Sequence, residues 1–218
     1  MYGDIARLND AKSHGDAPVP KRDPELLFSR IKRMSPKLKP LAMALNSGNG
    51  GRREWATARL ARASPRADLL LYLTISHGDP MARAAAAEAV CKMVRLGLKG
   101  TCVLSLTPAL NDDCPYVRWR TIAEIGKMGP KSAHFVKEMF NGLHDPSDTV
   151  RVQAAKAIAA TYRRPRSNYP DDIKELKELS SKEADPYVRS EMRAALNKAE
   201  LEYGLFKDKF LNPVKYRR

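Results

Sequence analysis

The sequence predicts an all-α protein, a right-handed α-solenoid of about five helical hairpins with extended basic N- and C-terminal arms. Three observations carry that expectation: a recurring Asp, Pro and Arg motif, one apolar helical register behind each Arg, and a net charge of +14 that lies mostly outside the repeats.

The motif is clearest at Asp113-Cys114-Pro115-Tyr116-Val117-Arg118, at Asp145-Pro146-Ser147-Asp148-Thr149-Val150-Arg151 and at Asp185-Pro186-Tyr187-Val188-Arg189, with a looser copy at Asp79-Pro80-Met81-Ala82-Arg83. The Arg positions are 35, 33 and 38 residues apart, within the range of stacked helical hairpins. Three and seven residues after each Arg stand Ala86 and Val90, Thr121 and Ile125, Ala154 and Ile158, and Met192 and Leu196, which is one helical face seen four times. Asp supplies an N-cap and Pro a ring preset for the first turn. Ala85, Ala123, Ala155 and Ala195 let neighbouring helices approach closely.

A first helix is expected upstream of each motif, over residues 68–76, 101–110, 132–143 and 171–182, because apolar residues recur there every three or four positions, as Phe135, Met139 and Leu143 do. A degenerate earlier hairpin is expected from residues 37–45 and 53–63, since Ala56 and Leu60 repeat the register behind Arg53, with a flexible turn at Ser47, Gly48, Asn49, Gly50 and Gly51 between them. A capping helix over residues 24–34 precedes it. The organisation that follows is a flexible arm at 1–23, a cap and first repeat at 24–64, a repeat array at 65–205 and a basic extended tail at 206–218.

The Asp, Val and Arg signature with Ala-rich second helices resembles the HEAT-repeat family, including its short phycobilin-lyase-type repeats, over roughly residues 65–200. The resemblance implies that the turn Asp and the second-helix Arg bond between repeats, here Asp79, Asp113, Asp145 and Asp185 with Arg83, Arg118, Arg151 and Arg189. It implies a binding scaffold and leaves the partner open, since such arrays serve many functions.

Composition narrows the class. Hydrophobic residues at 43% and charged residues at 29% suit a folded soluble chain. No apolar run is long enough to cross a membrane, and the N-terminus lacks the apolar core of a signal peptide, so a cytoplasmic location is expected, with a cytoskeletal or axonemal setting favoured. Cys91, Cys102 and Cys114 are odd in number and lack paired spacing, which favours reduced, buried thiols over disulfides or zinc. His14, His77, His134 and His144 form no ligand pair, and Gly48 to Gly51 lacks the Lys-Ser or Lys-Thr of a phosphate loop. No cofactor, metal or small-molecule substrate is expected.

Charge is unevenly spread. Residues 1–66 hold 14 basic against 6 acidic residues, residues 67–162 hold 11 against 9, and residues 163–218 hold 14 against 10. Electrostatic docking is therefore expected at the ends. The candidates are Lys21, Arg22, Arg30, Lys32, Arg33, Lys37, Lys39, Arg52 and Arg53, then Arg163, Arg164 and Arg166, where Tyr162 and Tyr169 interleave aromatics with Arg in a pattern suited to stacking, and finally Lys215, Arg217 and Arg218.

The function expected is a non-catalytic scaffold or adaptor subunit docking through basic arms on a large acidic protein assembly, tubulin-like, such as a microtubule or axonemal structure. A nucleic-acid or ribonucleoprotein-binding subunit is the alternative, and an adaptor for a hydrophobic peptide is a third class. A base-excising glycosylase built on Asp112 or Asp113 with Tyr116 and Trp119 is set aside, because Asp113 fits the repeat ladder and Trp119 a half-buried helix position.

Overall fold

The computed structural model describes residues 22–63, 67–98, 106–162 and 169–211. Among the described residues the secondary structure is helical throughout, with no strand: α1 (Pro24–Lys32), α2 (Lys39–Leu45), α3 (Gly50–Leu60), α4 (Asp68–His77), α5 (Pro80–Arg95), α6 (Thr107–Leu110), α7 (Pro115–Gly126), a 3-10 helix (Gly129–Phe135), α8 (Val136–Gly142), α9 (Asp148–Thr161), α10 (Tyr169–Lys182) and α11 (Pro186–Leu211). The second helices stack in order, α3 on α5, α5 on α7, α7 on α9 and α9 on α11, and the first helices pack behind them. The result is an all-α solenoid.

Helix starts follow from capping chemistry. Asp79 accepts from the backbone N–H groups of Met81 (2.9 Å) and Ala82 (3.0 Å), and Asp185 accepts from Tyr187 and Val188 (both 2.8 Å), each with Pro as the first helical residue. At α1, Asp23 caps Leu26 (2.8 Å) ahead of Pro24. Leu27 and Ile31 then bury one face of α1 in the core, and α1 packs on α4.

The core runs between the two helix rows. Leu45, Leu60, Leu70, Leu71, Ile75, Met93, Leu106, Ile122 and Ile125 are almost wholly buried in it, and each such side chain contributes roughly 1.5–3 kcal/mol relative to exposure. Small residues set the helix spacing. A Cβ on Gly126 would stand 3.0 Å from both the Cα and Cβ of Ala157, so α7 and α9 touch backbone to backbone there.

Several boundaries differ from expectation. Gly50 and Gly51 are the first turn of α3 rather than part of a loose linker, because Asn49 caps the helix by accepting from Arg52 (3.0 Å). Gly126 is the last residue of α7, whereas Gly129, with φ +57°, turns the chain into the 3-10 helix. The first helix of the 132–143 hairpin is accordingly split between that 3-10 helix and α8. The boundary expected at residue 205 falls inside α11, which runs to Leu211 because no Pro or capping residue interrupts it before Pro213. The arm at 1–21 and the segment 212–218 lie outside the described residues, as do residues 101–105, Cys102 among them.

Candidate interaction surface

Each second-helix Arg reaches two turns at once. Arg118 donates from Nη1 to the carbonyl of Asp112 in its own turn (2.7 Å), and from Nε and Nη2 to the Asp145 carboxylate in the next (2.7 and 2.8 Å). Arg151 repeats this with the Asp145 carbonyl (3.0 Å) and the Glu183 carboxylate (2.9 and 3.2 Å). Arg83 donates to the Gly78 carbonyl (2.9 Å) and takes Asp112 with two bonds of 2.7 Å. The ladder pairs are thus Arg83 with Asp112, Arg118 with Asp145, and Arg151 with Glu183.

This corrects the acids read from the motif. The ladder carboxylate stands six residues before its own repeat's Arg, which selects Asp112, Asp145 and Glu183. Asp79 and Asp185 are N-caps, and Asp113 is 64% exposed, touching Arg83 only at 3.2 Å. In the first copy the six-before position holds His77, which cannot supply a permanent negative charge. Arg189, at the other end, donates to the carbonyls of Glu183 (2.9 Å) and Ala184 (2.8 Å). The missed signal was the fixed six-residue offset, hidden because Asp113 and Asp185 both sit closer to Pro.

Two of the cations assigned to polyanion binding are used internally. Arg22 pairs with Asp112 (3.2 Å) and Asp113, while the neighbouring Asp23 N–H donates to His77 Nδ1 (3.1 Å), so this segment is strapped across the turn edge of the solenoid. Burial lowers the His77 pKa, with Asp23 opposing and Arg22 reinforcing that shift. Arg53 is half-buried and donates to the Ser47 carbonyl, the same six-residue reach the ladder arginines make.

The remaining N-terminal cations face solvent. Arg30, Lys32, Arg33, Lys37, Lys39 and Arg52 are all exposed and have no side-chain partner among the described residues. Phe28, 54% exposed, lies among them, and Glu25, Phe28, Ser29, Lys32 and Arg33 line a shallow cavity of about 440 Å³. Lys21, Arg163, Arg164, Arg166, Lys215, Arg217 and Arg218 lie outside the described residues. Tyr162 corrects the stacking pattern drawn around those arginines: it is fully buried, donating its hydroxyl to Asp172 (3.1 Å), and offers no face to a base.

The glycosylase constellation is also accounted for. Asp112 is buried with both carboxylate oxygens on Arg83, and also accepts from the Cys114 N–H (2.9 Å). Tyr116 and Trp119 pack edge to face at 5.6 Å. Among the described residues no cluster of His, Cys, Asp or Glu could hold a metal, and no helix is long and apolar enough to cross a membrane. Burial drives the Cys91 thiol far above its ordinary range, so it stays protonated.

Stacked hairpins joined by an Arg–carboxylate ladder define a helical-repeat scaffold. Residues 103–197 match the family model for HEAT repeats, the same stretch that holds the Arg118–Asp145 and Arg151–Glu183 rungs of the ladder. No curated protein matches the chain.

Proposed function

We propose that the protein is a non-catalytic scaffold or adaptor subunit whose N-terminal cap docks on an acidic macromolecular assembly, with a tubulin-like filament as the favoured partner. The observation that carries this reading is the group of six exposed cations, Arg30, Lys32, Arg33, Lys37, Lys39 and Arg52, none of which is spent on a carboxylate among the described residues. In the ladder, by contrast, Arg83, Arg118 and Arg151 are each matched to a carboxylate. Cations held apart from partners raise the local concentration of an acidic surface and speed encounter with it.

Removing residues 1–35 would be a poor test, because it also takes Leu27 and Ile31 out of the core and cuts the Arg22 strap. Charge reversal of Arg30, Lys32 and Arg33 leaves those contacts in place. In sedimentation with assembled microtubules at moderate salt, the native protein pellets and the R30E/K32E/R33E protein remains in the supernatant. If the native protein also stays soluble, the filament reading is wrong. A pellet that disappears with nuclease treatment instead points to nucleic acid.

A further inference from the structure

We infer that the solenoid carries a second docking track, a basic edge formed by the C-terminal ends of the second helices, which binds an extended acidic peptide. This rests on the proposed docking to an acidic protein assembly and places a distinct contact away from the N-terminal cap. Counted along the chain, residues 67–162 are nearly neutral. Folding sorts that charge.

The acids of these repeats gather at the turns, where Asp112, Asp145 and Glu183 serve the ladder and Asp79 and Asp185 cap helices. The cations gather at the opposite edge. Nine residues beyond the repeat Arg stand Arg62, Lys92 and Lys127, at the C-terminal ends of α3, α5 and α7, with Arg95 and Lys131 just past the last two; Lys198, at the same offset, lies in the middle of α11. Lys131, in the 3-10 helix behind α7, donates to the carbonyls of Val94 (3.2 Å) and Arg95 (3.0 Å), so its ammonium sits on the C-terminal end of α5, the end that carries Arg95.

Two carboxylates sit among them. Glu88 holds Lys92 (2.6 Å) and Arg120 (3.0 Å), and buried Glu124 holds Lys127 (2.6 Å). Burial raises the Glu88 pKa, but the bonds from Lys92 and Arg120 outweigh it and hold the group below the ordinary carboxylate range, so it is ionised. Among the described residues, Arg62, Arg95 and Lys131 have no carboxylate partner, their only side-chain bonds being to backbone carbonyls where they have any. The helix dipole favours cations at helix C-termini, and after the carboxylates are matched one such cation is left at or just past the end of each of α3, α5 and α7, namely Arg62, Arg95 and Lys131.

The spacing selects the partner. Neighbouring packed helices stand ~8–10 Å apart, and an extended peptide advances ~3.3–3.6 Å per residue, so an acid at every third position meets one cation per repeat. Single-stranded nucleic acid would want stacking faces interleaved with the charges. The exposed aromatics among the described residues, Phe28, Trp55, Tyr187 and Phe206, belong to the cap, to the body of α3 and to the two ends of α11 rather than to this edge.

The test uses the full chain and a fluorescein-labelled 15-residue peptide with glutamate at every third position, followed by fluorescence anisotropy at low salt. R62Q/R95Q/K131Q is expected to bind about tenfold more weakly than the native protein, whereas R62K/R95K/K131R binds equally well and R30Q/K32Q/R33Q stays within about twofold. Thermal melts of all three variants establish that each is folded. Loss in the cap variant with retention in the edge variant overturns the track while leaving docking through the cap standing. Absence of native binding to the peptide overturns the track, and the microtubule sedimentation then decides the broader reading separately. An RNA oligonucleotide of equal length that binds the edge more tightly than the peptide overturns the peptide assignment.

Discussion

Arg118 and Asp145 lie 27 residues apart in sequence and are joined by two parallel hydrogen bonds of 2.7 and 2.8 Å, with side chains only 13% and 9% exposed. This forked, mostly desolvated pair ties one repeat to the next, and the bond raises the Arg118 pKa further above its already high value, so the charge is permanent. Removing one partner leaves the other buried and uncompensated. Arg118→Ala is expected to lower unfolding free energy by about 3 kcal/mol in urea denaturation. Arg189→Ala, which loses only bonds to backbone carbonyls at the end of the ladder, should cost about 1 kcal/mol. Equal losses at the two sites would show that the ladder adds nothing beyond local turn bonding.

The close contact of α7 with α9 yields a second prediction. Alanine is the better helix former by about 1 kcal/mol, so on propensity alone Gly126→Ala would stabilise. The new Cβ, however, meets Ala157 backbone and side chain at 3.0 Å, and backbone cannot swing away. The expected net result is destabilisation of roughly 1–2 kcal/mol, read as a lowered midpoint in thermal or urea unfolding. Gly48→Ala, whose Cβ meets nothing within 4 Å, serves as the comparison and should lie within about 0.5 kcal/mol of native.

Much of this fold is legible in the sequence because the repeat period, the apolar register and the Asp-Pro helix starts all act locally. Those signals place the starts of α4, α5, α7, α9 and α10 within a few residues of where they are observed. The ladder acids were misassigned for a physical reason: a carboxylate next to Pro has two competing uses, capping the helix below it or reaching an Arg one repeat away. Only three dimensions separate Asp185, which caps, from Glu183, which pairs. Charge totals by segment hid the basic edge in the same way, since acids and cations alternate along the chain and part only when the hairpins stack. Tyr162 shows the converse error, a residue beside three arginines that packing draws fully inside.

Acidification should loosen the N-terminal strap first. His77 accepts the Asp23 N–H through a neutral Nδ1, and burial holds its pKa below the 6.5 of an unfolded chain. Because the folded value is depressed, the contribution of this contact is in place above pH 6.5 and is lost as pH falls through 6.5 toward the folded value. Protonation also sets a positive ring near Arg22. Hydrogen–deuterium exchange, corrected for intrinsic rates, should show the peptide containing Asp23 becoming less protected between pH 7.5 and pH 5, with α7 and α9 unchanged. In His77→Gln a side-chain carbonyl can accept the same N–H without titrating, so that pH dependence should vanish. If it persists, the strap is controlled by another group.

Tyr162 supplies the last prediction, because burial and binding make opposite demands on it. Its ring is fully buried at the end of α9, and its hydroxyl donates to Asp172 at 3.1 Å, beside the segment that carries Arg163, Arg164 and Arg166. Were the ring a stacking platform, Tyr162→Ala would weaken single-stranded RNA binding by about 1–3 kcal/mol per lost base contact and leave stability nearly untouched. As a core residue, it should instead lower stability by about 3 kcal/mol or more, while the folded fraction at low temperature binds polyanions as the native protein does. Parallel urea denaturation and anisotropy titrations separate the two. A loss confined to RNA binding would require the ring to leave the core in solution.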